Sequence, residues 1–155
     1  MEDITTIGEI LEFAIAREAE AVNLYMAMAR RVTDPSMVKF FEDLVSEELE
    51  HKSRLELEVM KEGIVARTVG VVPETSADDP PIRPDQVAKE MIYADGLTLA
   101  IRKERRSFRL YVRLAGLVEE GELRETLVSL AEEEARHLTV LEAQYENAIT
   151  GSNDL

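Results

Sequence analysis

Apolar side chains recur along this chain at alternating steps of three and four. In the first stretch Ile4, Ile7, Leu11, Ala14, Ala21, Tyr25, Met28 and Val32 keep that spacing, with Glu18 filling the step between Ala14 and Ala21. This is the stripe of a helix that buries one face. Asp34-Pro35 breaks it; Asp34 or Ser36 can cap the next helix, with Pro35 in its first turn. A second stripe runs Met37, Phe41, Leu44, Glu48, His51 and Leu55 and ends near Gly63. Residues 63–84 carry four prolines and no helical period, which predicts a crossover segment. A third helix is expected from about Pro84 or Asp85, with stripe Tyr93, Leu97, Ala100, Glu104, Ser107, Tyr111, Leu114 and Val118. Glu120-Gly121 turns the chain, and a fourth stripe follows: Leu123, Leu127, Leu130, Glu134, His137, Leu141 and Gln144.

The second pair of helices repeats the first. A displacement of 86 residues puts Glu18 on Glu104, Tyr25 on Tyr111, Glu48 on Glu134 and His51 on His137, and it pairs Leu11 with Leu97 and Leu55 with Leu141 without a gap. The repeat spans 4–62 and 90–148 within one expected domain, 1–155. Short links make each pair an antiparallel hairpin. The middle link can reach ~70 Å when extended, against ~42 Å for a 28-residue helix. It can therefore run the length of the molecule and start helix 3 parallel to helix 2. The expected fold is all-α, an up-down-down-up four-helix bundle with one long crossover between helices 2 and 3.

Composition narrows the partners. A formal charge of −14 argues against nucleic acid and against an anionic membrane surface. No apolar run is long enough to span a bilayer, and the opening MEDITTIGEI lacks the basic and apolar regions of a secretory signal. A cytoplasmic location is the expectation. The absence of cysteine removes disulfides, iron–sulfur clusters and thiolate metal sites from consideration.

The chemistry lies where polar residues interrupt the stripes. Most of the 32 acidic residues fall on outward faces, but Glu18, Glu48, Glu104 and Glu134 each take a core position, one per helix. Buried carboxylates need a cation, a proton or strong hydrogen bonds. The chain's two histidines each follow a stripe glutamate by three residues, as Glu48-x-x-His51 and Glu134-x-x-His137. At that spacing both side chains leave one helix face and can bind a common ion. Four glutamates and two histidines without thiolate suit two ions of iron or manganese, with zinc as another occupant, ~3.5–4 Å apart at mid-bundle. Tyr25 and Tyr111 lie two turns beyond Glu18 and Glu104, and each buried hydroxyl needs a partner, a ligand carboxylate on a facing helix being the expected one. Glu47 and Glu133 lie off the stripe, at the surface or supporting the ligands. Arg102, Lys103, Arg105, Arg106, Arg109 and Arg113 crowd helix 3 and are read as pairing with acidic neighbours across helices or subunits, the alternative being a docking patch for an acidic electron-transfer protein.

At Glu18…Tyr25, Glu48-Leu-Glu-His51, Glu104…Tyr111 and Glu134-Ala-Arg-His137 the sequence resembles the ferritin-like superfamily, in particular its rubrerythrin-like branch. The resemblance covers the chain apart from the crossover. It implies two irons bridged by Glu48 and Glu134, with Glu18 and Glu104 as terminal ligands and one histidine per iron, reacting with dioxygen or hydrogen peroxide. The chain departs from well-studied rubrerythrins in having Ser107 where they carry a further ligand glutamate, and in having no cysteine for a rubredoxin-like module. It departs from bacterioferritins in having Leu49 where they place a haem-ligating methionine, so no haem is expected. The implied function is a di-iron oxidoreductase in which Tyr25 and Tyr111 orient carboxylates or limit stray oxidation. An external electron-donor protein is expected to supply the electrons, and a homodimer is the expected assembly. The alternative is a ferroxidase feeding an iron store.

Overall fold

The computed structural model describes residues 5–61, 68–70 and 93–150. Four helices make up most of them: α1 (Ile7–Arg31), α2 (Pro35–Met60), α3 (Tyr93–Leu117) and α4 (Glu122–Thr150). The termini of these helices follow from local chemistry. Thr6 caps α1 in a capping box, its hydroxyl accepting from the Glu9 backbone N–H (3.2 Å) while the Glu9 carboxylate accepts from the Thr6 N–H (3.1 Å). The helix thus begins three residues after the first apolar position of its stripe, Ile4, which lies outside the described residues. Asp34, not Ser36, caps α2 by accepting from Ser36 N at 2.8 Å, with Pro35 in the first turn. Gly121 turns the chain between α3 and α4 at φ 151°, a conformation that side chains disfavour, and its carbonyl accepts from Glu125 N at the start of α4.

Helices α1 and α2 pack as one hairpin, α3 and α4 as the other, and α1 faces α3. The direction of each helix is read from the two cores. One gathers Ile7 and Leu11 from the start of α1, Leu55 from the end of α2, Leu114 from the end of α3 and Leu127 from the start of α4. The other gathers Leu24 and Tyr25 late in α1, Phe41 early in α2, Leu97 early in α3 and Leu141 late in α4. Hence α1 and α4 run one way, α2 and α3 the other. This is the all-α, up-down-down-up bundle that the connection lengths predict, and the link from α2 to α3 has to run from one end of it to the other.

One feature has no counterpart in the sequence reading. Thr5–Thr6 (β1) pairs antiparallel with Thr68–Gly70 (β2), Thr5 opposite Gly70 and Thr6 opposite Thr68. The start of the crossover is therefore pinned beside the N-terminus of α1. The rest of the crossover expected over 63–84, and the start of helix 3 expected at Pro84 or Asp85, lie outside the described residues.

Candidate metal centre

Between the two cores lies a polar layer with one stripe glutamate from each helix. Glu18, Glu48, Glu104 and Glu134 are all fully buried, as is His51, while His137 keeps a side-chain exposure of 13%. The six predicted ligand residues come together in two overlapping groups, Glu18/Glu48/His51/Glu134 and Glu48/Glu104/Glu134/His137. In each group, one potential donor atom per residue falls within 4.8 Å of all the others. Glu48 and Glu134 are the two residues common to both groups.

The hydrogen-bond inventory shows which atoms this layer leaves open. Glu18 Oε2, Glu48 Oε1, Glu104 Oε2, both Glu134 oxygens and the Nδ1 atoms of His51 and His137 are buried without a hydrogen-bond partner. Orphaned acceptors at this density are what a folded chain avoids, unless a further group satisfies them. All are oxygen or imidazole nitrogen, the donor set that divalent first-row metals take. The residues fit a metal pair.

Four of the six side chains, Glu18, Glu104, His51 and His137, are held on their other face. Tyr25 on α1 donates to Glu104 on α3 at 2.6 Å, and Tyr111 on α3 donates to Glu18 on α1. The two tyrosines thus make the facing-helix contacts that the sequence suggests. Burial, then the charge of the nearby glutamate, raises both phenol pKa values well above 10, so both keep their protons. Glu47 and Glu133 take the supporting place rather than a ligand place. His51 Nε2 lies 3.2 Å from Glu133, and His137 Nε2 pairs with Glu47. A carboxylate on the outer nitrogen fixes the ring and leaves Nδ1 to face inward. Each histidine of one hairpin is therefore steadied by the other hairpin. The His51 side is the more firmly built, because Arg54 also binds Glu133 (2.5 Å) and Ser129 (2.8 Å).

Helix 3 holds a group that the sequence reading misplaces. Lys103 is buried, with its ammonium 3.1 Å from Glu48, 3.6 Å from Glu134 and 3.9 Å from Glu18. The expectation of pairing with acidic neighbours holds for Arg105, which meets Glu142 at 3.6 Å. For Lys103 the acidic neighbours are the candidate ligands themselves. A signal was present: Leu99, Lys103, Arg106 and Leu110 form a second run of four-three-four steps beside the main stripe, and all four are buried. Glu58 was also missed; it is buried at the end of α2, where Thr126 and Lys61 donate to it, both at 2.9 Å.

The electrostatics of the metal-free layer follow from these contacts. Burial raises Glu18 well above the usual carboxylate range against the pull of Lys103, and burial with the charge of Glu104 raises Glu134. Glu48 goes the other way: burial opposes its charge, but the Lys103 ammonium and surrounding hydrogen bonds hold its pKa well below 4.5. Burial also opposes a charged His137, yet the adjoining Glu104 and Glu48 carboxylates, with Glu47, push it up to about 10. A metal must displace that proton. Because the pKa is raised from 6.5, the proton's stabilisation of the metal-free fold is complete below about 6.5 and disappears as pH rises through about 10. Metal affinity should accordingly climb across the whole of that window. At pH 7.5, loading should release at least one proton per chain, read from binding heats in buffers of different ionisation enthalpy. Heats independent of the buffer would contradict the assignment of His137.

The family model described as Rubrerythrin matches residues 9–145. No curated protein matches the chain by sequence. Among solved structures, a candidate ferritin-like diiron-carboxylate protein from Thermotoga maritima superposes with a TM-score of 0.81 at 19% identity, over 96% of this chain and 99% of that one. A hypothetical protein from Pyrococcus furiosus gives 0.74 at 24% identity, over 94% and 91%. At these identities the two structures speak for the fold alone, which agrees with the bundle described above, and the match over 9–145 speaks for the sequence. The chain belongs to the rubrerythrin family.

Proposed function

We propose that the protein is a non-haem di-iron oxidoreductase that reduces hydrogen peroxide or dioxygen with electrons from a separate donor protein. One observation carries this reading. Seven buried carboxylate and imidazole atoms converge with no hydrogen-bond partner outside their own layer, His51 Nδ1 lying 2.8 Å from Glu134 Oε1, while Glu18, Glu104, His51 and His137 are held from behind. In this reading Glu48 and Glu134 would be shared by the two ions, Glu18 and Glu104 would each hold one of them, and His51 and His137 would serve one ion each. An iron pair supplies two electrons at one buried point, the number that takes hydrogen peroxide to two waters; dioxygen needs four.

The residues' part is to bind, orient and exclude. Tyr25 and Tyr111 keep Glu104 and Glu18 in place through O–H donors that stay protonated. The two apolar cores close the layer from above and below. His137 forms its more open edge, beside Glu47, whose side chain is about half exposed. Electrons have to come from outside the chain, which holds no cysteine for a second redox centre.

Anaerobic loading with two equivalents of ferrous iron, followed by parallel titrations with peroxide and oxygen, tests the proposal. The expected result is complete oxidation by one equivalent of peroxide per chain, faster than by oxygen at equal concentration. Oxidation that continues through hundreds of added irons per assembly, with a mineral product, would replace this reading with an iron store.

A further inference from the structure

The 86-residue repeat predicts two equivalent metal seats, and the structure makes them unequal. Lys103 is the reason. All three of its ion-pair partners, Glu18, Glu48 and Glu134, belong to the group that contains His51. Glu48 and Glu134 serve the His137 group as well, so the contact that tells the two seats apart is the one to Glu18 at 3.9 Å. The corresponding position of the first half is Arg17, whose guanidinium lies over the Phe13 ring at 5.2 Å. The two seats also differ in access, since the side chain of His51 is 1% exposed and that of His137 is 13%.

We propose that the Lys103 ammonium is a resident cation of the His51 seat, so that the first metal ion enters the His137 seat and the second enters only by displacing the ammonium. The proposal rests on the reading of the layer as a two-ion site. Its physical basis is that four buried carboxylates in contact repel one another, and a cation among them offsets that repulsion before any metal arrives. A lysine suits the role: its ammonium is a compact charge on a flexible four-carbon stem that can swing away, which a planar guanidinium does less readily. An ammonium and a divalent ion cannot share the same three carboxylates, so each metal ion in the His51 seat costs the site its lysine contacts. The ammonium therefore holds the metal-free bundle together and weakens the second seat.

The test uses the full chain, stripped with a chelator and titrated anaerobically with cobalt(II), followed by calorimetry and by the cobalt absorption bands. Wild type should fill in two steps, the second at least tenfold weaker than the first. Lys103→Met keeps the apolar stem and removes the charge. It should strengthen the second step at least tenfold, strengthen the first by a smaller factor through the shared Glu48 and Glu134, and lower the melting temperature of the metal-free chain. On a His51→Ala background, which removes the second seat, the same substitution should shift the remaining step by clearly less than tenfold. If the methionine variant does not stay folded without metal, Lys103→Gln serves in its place. One ion bound by wild type and two by the variant would support the proposal in its strongest form. Two equal steps in wild type, unchanged in the variant, would overturn it while leaving the two-ion reading intact. Binding of fewer than two ions by both would overturn the two-ion reading, and this proposal with it.

Discussion

Loading the metal-free chain with two ions should raise its melting temperature by ~15–30 °C. Metal binds the folded layer and has no equivalent site in the unfolded chain, so binding free energy becomes stability. At free metal about a thousandfold above the dissociation constant, each ion contributes ~4 kcal/mol, and ~1 kcal/mol moves a domain of this size by ~2–4 °C. The effect is enlarged by the starting state, in which five carboxylate oxygens and two ring nitrogens are buried without hydrogen-bond partners and carry a desolvation cost that the Lys103 ammonium relieves only in part. Scanning calorimetry with and without a chelator measures it directly. A shift below about 5 °C at saturating metal would mean that Lys103 and protons already satisfy the layer, and that metal adds little to it.

Removing one shared carboxylate should cost more than removing any supporting one. Glu48→Ala or Glu134→Ala takes a donor from both groups at once, so paired binding should be lost and elemental analysis after gel filtration should find one ion or none. Glu47→Ala or Glu133→Ala takes only the partner of an outer histidine nitrogen. Loss of such a partner weakens a seat by ~10–100-fold, and both variants should still hold two ions at saturating metal. The contrast between neighbours in sequence is the informative part. Glu133 and Glu134 differ by one position, yet the first is 23% exposed in its side chain and the second fully buried. Two ions retained by the Glu134 variant and lost by the Glu133 variant would reverse the assignment of ligand and support.

The helices and the six converging residues were legible because both rest on periodicity. A glutamate such as Glu104, set between Ala100 and Ser107 on an apolar stripe, announces its burial through its neighbours, and the same holds for His51 between Glu48 and Leu55. What stayed hidden depended on long side chains or on contacts distant in sequence. Lys103 lies one position off the main stripe, and only the reach of its stem brings its charge into the centre. The pairing of Thr5–Thr6 with Thr68–Gly70 joins segments too short and too far apart for any alternating pattern. The choice of Asp34 over Ser36 as the cap of α2 turned on which side chain reached a free backbone N–H, a matter of a single torsion.

The crossed tyrosines bear on how such a molecule could arise. Tyr25 holds the glutamate of the second hairpin and Tyr111 that of the first, and each histidine leans on a carboxylate from the opposite half. Neither hairpin alone could assemble the centre, whereas two copies of one hairpin, meeting about a twofold axis, could. Joining them in one chain removes the dependence on concentration and, with it, a constraint of symmetry. An ancestral pair of identical hairpins would have carried the same residue at both positions now held by Arg17 and Lys103. Only a fused descendant is free to place an ammonium on one side of its centre and leave the other side to the metal.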